Sequence, residues 1–231
     1  MSKIKWDQTS EKKFETGVDH GVLYPQASGG AYPKGVAWNG LTGVNQSPSG
    51  ADDNDFYADN ILYGSLRGAE RFGGGITAYM APDEWAACDG SVEVVPGVFA
   101  GQQNRQRFGL CYRTLIGNDT EGTEHGYKIH LVYNASASPS DRDYETMNEN
   151  PDMMELSWDF TTLPVAVETL DPVSNKPLRP MSHLEIDSTK LTAEKLTAIE
   201  TILYGTDGSG GSEGTDARLP LPDEVFQLLT A

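Results

Sequence analysis

Residues 107–133, RFGLCYRTLIGNDTEGTEHGYKIHLVY, decide the fold class. Phe108, Leu110, Tyr112 and Ile116 share one parity and Arg107, Cys111 and Arg113 the other, so an extended chain turns the two sets to opposite sides. Beyond a Gly-, Asn- and Asp-rich link, Tyr127, Ile129, Leu131 and Tyr133 alternate with Lys128 and His130. Two runs of period two about such a link predict a β-hairpin with a long loop, GNDTEGTEHG. Further on, Met154, Leu156, Trp158 and Phe160 alternate with Glu155, Ser157, Asp159 and Thr161, the cleanest half-buried strand in the chain.

Upstream, Ile61, Tyr63 and Ser65 and then Ile76, Ala78 and Met80 predict two more strands around the turn-rich RGAERFGGG. Pro82, Asp83 and Glu84 form a helix start and Gly90 a stop, giving one or two turns anchored by Trp85. Residues 32–60, YPKGVAWNGLTGVNQSPSGADDNDFYADN, read as a long arm. Val36, Trp38, Thr42 and Val44 share one strand face, and Ala37, Asn39 and Leu41 the other. Residues 47–55 supply turn chemistry, with Pro48 fixing φ and Gly50 tolerating a positive one. The tip is expected over 48–55, inside an exposed loop with Asp52, Asp53, Asp55 and Asp59 and no base. Residues 6–31 keep no sustained period and read as an irregular segment.

From Asp187 the period changes. Thr192 is placed to cap a helix over 192–204 whose Leu196, Ile199 and Leu203 share a face, with a Leu191–Leu196 staple and Gly205 as the stop. Residues 205–215 hold five Gly in eleven and predict a flexible linker. Pro222, Asp223 and Glu224 then start a short helix carrying Val225, Leu228 and Leu229, too short to persist alone and so expected to dock.

At 231 residues the chain can fold without staples, burying about 70% of its unfolded surface. A formal charge of −17 opposes gripping phosphate. Cys88 and Cys111 are too few for a disulfide framework and read as reduced thiols. The opening MSKIKWDQTSEKKFE has bases without an apolar run behind them, and no stretch approaches the roughly 20 apolar residues of a membrane span. A soluble, cytoplasmically made protein is expected.

Sites of chemistry are sparse. His20, His125, His130 and His183 make no ligand spacing, and His130, on the polar side of its strand, reads as a surface or rim histidine. No serine sits in a G-x-S-x-G elbow. The aspartates of residues 52–59 lack the EF-hand order, so no metal and no cofactor are expected. Charge is uneven: residues 101–113 hold Arg105, Arg107 and Arg113 with no acid, whereas 141–159 hold seven acids against Arg142. These arginines form a candidate basic patch for association through opposite charges.

Five peptides, WDQTSEKKFETGVDHGVLYP, YPKGVAWNGLTGVNQSPSGADDNDFYADNI, AYMAPDEWAACDG, FGLCYRTLIGNDTEGTEHGYKIHLVY and ELSWDFTTLPV, occur here in one order. Together, over about residues 6–208, the sequence resembles the major tail, or tail tube, proteins of long non-contractile-tailed bacteriophages. The resemblance implies a mainly β fold, a β-sandwich or barrel-like core with a flanking α-helix. It also implies six subunits per ring, rings stacked into a tube that conducts the genome, an acidic lumen, and no active site.

Its implied partners are further copies of itself, a tape measure protein inside the tube, and tail-tip and terminator proteins at its ends. DNA passes without specific binding, and no membrane is involved. The implied location is the virion tail, assembled in the host cytoplasm. The long loop and the tails would bridge rings, which assigns the inter-ring arm to Ser47, Pro48, Asp52, Asp53 and Asp55. The expected organisation is an N-terminal segment over 1–31, a β-sandwich domain over 32–204, and a Gly/Ser-rich loop and C-terminal extension over 205–231. That extension lies past the resemblance.

A rival reading is a β-sandwich carbohydrate-binding module, suggested by Trp6, Trp38, Trp85 and Trp158 and by the Asp-rich loops. Trp158 falls in step with Leu156 and Phe160, which favours a place in the core.

Overall fold

The structure is a computed structural model that describes residues 3–144, 146, 147, 149, 152–208 and 213–230. Its elements run β1 (Lys13–Pro25), β2 (Val36–Ala37), β3 (Leu41–Gln46), β4 (Ser49–Gly50), β5 (Asp53–Ala58), β6 (Ile61–Arg67), β7 (Glu70–Arg71) and β8 (Gly73–Ala78). There follow α1 (Trp85–Asp89), β9 (Val92–Val95), β10 (Val98–Ala100), β11 (Phe108–Asn118), β12 (Gly122–Ala137), β13 (Leu156–Thr162), β14 (His183–Asp187), α2 (Ala193–Tyr204) and α3 (Pro222–Thr230). The fold is mainly β. Eight strands form one antiparallel sheet in the order β2-β1-β11-β12-β13-β8-β3, with β14 pairing on β12. The two ends of that order, β2 and β3, are consecutive in the chain and joined by a turn at Gly40 (φ 78°), so the sheet curls back on itself.

Strand β12 makes the curl possible. Its middle pairs with β14 over Lys128 to Val132 and its last residues with β13 from Ala135. Between them lies a bulge opposite β11, where Asn134 adopts a positive φ of 53° and the strand changes partners. The bulge leaves backbone groups off the ladder. Tyr32 Oη accepts from Asn134 N (2.8 Å), and Arg107 Nη1 (3.1 Å) and Leu163 N (3.2 Å) donate to Asn134 O.

Two cores result. Inside the curl, Trp38, Trp85, Trp158, Phe108 and Phe160 pack with Leu23, Leu110 and Ile76. The Trp38 ring centroid stands 4.8 Å from Trp85 and 5.7 Å from Trp158, and Trp85 meets Phe108 edge-on at 4.9 Å. On the outer face of β1, β11, β12 and β14, Ile129, Leu131, Tyr133 and Cys111 pack under α2 and α3. Alternation along 107–133 therefore sorts residues between two buried faces: the side carrying Cys111 is not solvent-facing.

Helix α2 begins after Thr192 and buries Ile199 and Leu203 as the spacing predicts, although the Thr192 hydroxyl makes no capping bond. Helix α3 persists because it docks: Val225 is buried, Lys195 Nζ donates to Leu229 O (2.6 Å), and Asp223 accepts from the Glu168 and Thr169 amides. The linker ahead of it is pinned at its base, where Thr206 and Thr215 exchange backbone hydrogen bonds of 3.0 and 3.1 Å. Residues 209–212 of that linker lie outside the described residues.

Three expectations are corrected. Residues 13–25 of the segment read as irregular form β1, one of the inner strands of the sheet. Irregularities between Thr16 and Asp19 and between Asp19 and Val22, with Gly17 and His20 at positive φ, erase the period of two that would have shown it. The 107–133 loop is short, because the β11–β12 ladder continues through polar residues to Asn118 opposite Gly122. Asn118 Oδ1 then accepts from the Thr120 (3.0 Å) and Glu121 (2.6 Å) amides to close the turn. The single strand expected over 36–44 is broken at Gly40 into β2 and β3.

Candidate functional site

The most conspicuous surface feature is the pair β5–β6, a two-stranded antiparallel hairpin outside the main sheet in which every residue is exposed. Asp59 and Asn60 turn it, with φ of 50° and 61°; two consecutive Asx residues at positive φ suit the tight hairpin turn whose twist matches the strands. Phe56, Tyr57, Ile61, Leu62, Tyr63 and Leu66 are all large, apolar and exposed, Tyr63 to 78%. A two-stranded hairpin is marginal in water without a covering layer. Six large exposed apolar side chains on one projecting hairpin are the kind of surface that marks an interaction site.

The hairpin overlaps the arm expected over 32–60 only at residues 53–60, because β2 and β3 pair into the main sheet and the projection runs on through β6. Ser47 N donates to Gly73 O (2.8 Å), and Ser49 and Gly50 form β4 against β7, so Ser47 and Pro48 stand at the base. Asp52 O accepts from Gly68 N (3.1 Å), closing the neck where the hairpin leaves the body. Asp53 and Asp55 lie in β5, and Asp53 pairs with Arg67 across the hairpin (3.0 Å). That exposed ion pair contributes little stability. The tip is Asp59 and Asn60, because residues 53–58 continue as strand in spite of their acids.

The candidate basic patch is not assembled as one free surface. Arg105 Nε donates to Asp89 O (3.2 Å) at the end of α1, and Arg107 satisfies the β12 bulge. Arg113 grips Asp19 with two bonds of 2.7 and 2.9 Å and lies over the Tyr127 ring, 4.6 Å from its centroid. The Arg113 guanidinium holds the Asp19 carboxyl below its ordinary range. Each arginine is engaged within its own chain.

His130 departs from the surface reading. It is 3% exposed, stacked between Tyr112 (4.7 Å, 9°) and His183 (5.5 Å, 13°), and His183 stacks on Phe72 (4.7 Å, 2°). His130 Nδ1 and His183 Nε2 stand 3.2 Å apart, a hydrogen bond when one ring donates and the other accepts. Burial pushes both imidazoles down, His183 to about 4 with help from His130, so the stack is neutral at pH 7. Around it Lys128 Nζ bridges Glu15 (2.8 Å) and Glu185 (3.2 Å), and Gln46 Nε2 donates to Tyr112 Oη (2.7 Å). On the polar side of β12, His130 and Tyr112 are thus buried where β1, β3, β11, β12 and β14 meet, with Glu15, Gln46 and Glu185 forming an exposed rim. Alternation located that face, but the cover supplied by β14 comes from a strand far along the chain.

Cys88 and Cys111 are buried in different cores, and burial raises both thiols to about 12, which keeps them protonated at neutral pH. Among the described residues no group of three or more His, Cys, Asp or Glu is arranged to hold a metal ion, and no helix is long and apolar enough to cross a membrane. No protein-family model and no curated protein matches the chain.

Proposed function

We propose that this chain is a structural virion protein whose copies form six-membered rings stacked into a tail tube, the conduit for genome ejection in long non-contractile-tailed bacteriophages. The observation that carries the reading is the β5–β6 arm: fifteen residues, 53–67, that leave a well-packed body and present six large apolar side chains, each at least half exposed among the described residues. Such a surface favours association, and head-to-tail contacts between identical copies propagate into stacks. The sequence resemblance supplies the ring, the tube and the partners: a tape measure protein inside, tail-tip and terminator proteins at the ends, and DNA passing without specific binding. The net charge of −17 suits a wall that repels phosphate and lets DNA slide. Assembly takes place in the host cytoplasm, and the protein resides in the virion tail.

Electron microscopy of the purified chain at rising concentration tests this. Six-fold rings and hollow tubes are expected; a chain that stays monomeric at millimolar concentration under all salt conditions would overturn the reading.

A further inference from the structure

A second uncovered segment lies ahead of β1. Ile4 and Trp6 are 70% and 73% exposed, and in an extended chain their parity places them on one side with Lys3 and Lys5 on the other. At another place on the molecule, an open groove runs between α1 and the β9–β10 hairpin. Ala87, Val92 and Phe99 supply its apolar lining and Asp83, Glu84 and Glu93 its charge, with no basic residue lining it. Glu93 Oε1 accepts from Gly97 N (2.7 Å) and so stays in place beside the groove. The hairpin is a two-stranded sheet, and its strands have edges free to accept another extended segment.

The segment cannot occupy the groove of its own chain. Ser10 N is held by Asp119 Oδ1 (2.9 Å), beside the end of the β1–β11 ladder where Lys13 pairs with Asn118. Helix α1 is fixed at the opposite end, where Gln106 N donates to Ala87 O (2.9 Å) and Pro25 pairs with Phe108. The ten steps of β11 between those ends span about 33 Å at ~3.3 Å per residue. The six residues from Ser10 back to Ile4 reach at most about 21 Å.

We propose that the groove between α1 and β9–β10 is the seat for residues 3–6 of a second copy, with Ile4 and Trp6 against Val92 and Phe99 and Lys3 and Lys5 beside Asp83, Glu84 and Glu93. The contact rests on the self-assembly reading and specifies one of its joints. Donor and seat lie at opposite ends of the same ladder, so each copy gives at one end and receives at the other. That heterologous geometry extends a stack.

Charge exchange in the full-length chain tests the seat. Lys3→Glu with Lys5→Glu, and separately Asp83→Lys with Glu84→Lys, change exposed positions, and equal thermal midpoints check that the variants fold. Sedimentation velocity at about 0.1 M salt, where the screening length is ~10 Å, is expected to show each pair weakening self-association at least tenfold. All four changes in one chain should restore it to within threefold of the wild type. Trp6→Cys combined with Val92→Cys should form an intermolecular disulfide. If the wild type assembles but neither charge pair has an effect, or the fourfold variant is no better than either pair, the seat is overturned while self-assembly stands. A wild type that never associates overturns both.

Discussion

Replacing residues 53–67 with a two-residue Gly link is expected to leave a folded chain that no longer assembles. The neck makes the excision clean, since Gly68 N already donates to Asp52 O at 3.1 Å and the cut ends lie side by side. No residue of β5 or β6 belongs to either core, so the unfolding free energy should change by less than about 1 kcal/mol. Association should suffer far more. Burying a large apolar side chain is worth about 1.5–3 kcal/mol, and six are exposed on the arm. Even after the costs of ordering and docking, a loss of several kcal/mol amounts to a thousandfold or more in association constant. Sedimentation velocity and circular dichroism measure the two halves of this expectation. Normal assembly by the shortened chain would remove the arm from the account.

Trp158→Ala is expected to destabilise the fold by about 3–5 kcal/mol, the range for truncating a large buried aromatic. Trp158 is 1% exposed and is enclosed by Trp38, Trp85 and Phe160 in the curl of the sheet. Of the four tryptophans only Trp6 is exposed, so three of the rings that suggested a sugar platform are core. Chemical denaturation gives the number directly. A cost below about 1 kcal/mol would mean that Trp158 is not packed as described and would reopen the carbohydrate-binding reading.

The elements that sequence showed plainly are those whose burial follows a single local period. β13 alternates cleanly because only one side of it is buried, and α2 shows its apolar face at Ile199 and Leu203. β1 was hidden because its irregularities reset the alternation, and the second buried face of β11 because arginine and cysteine there look polar. The acids of residues 52–59 suggested a loop, yet Asp53 and Asp55 stand in a strand where both sides are solvated and acid carries no penalty. His130 was not legible as a buried residue because, besides its hairpin partner Tyr112, its neighbours Gln46 and His183 come from β3 and β14, far away in the chain. An exposed, turn-rich stretch was legible near residues 47–60, but the projecting hairpin is 53–67, since its turn is made by the two positive-φ residues Asp59 and Asn60.

On assembly, the β5–β6 arm is expected to be covered by another copy. Amide hydrogen exchange across residues 53–67, read in the dispersed chain and in assembled material from one preparation, tests it most directly. The exposed hairpin should exchange rapidly when dispersed and at least tenfold more slowly once assembled. Equal exchange in both states, with tubes or rings visible in the sample, would mean that the arm stays uncovered in the assembly.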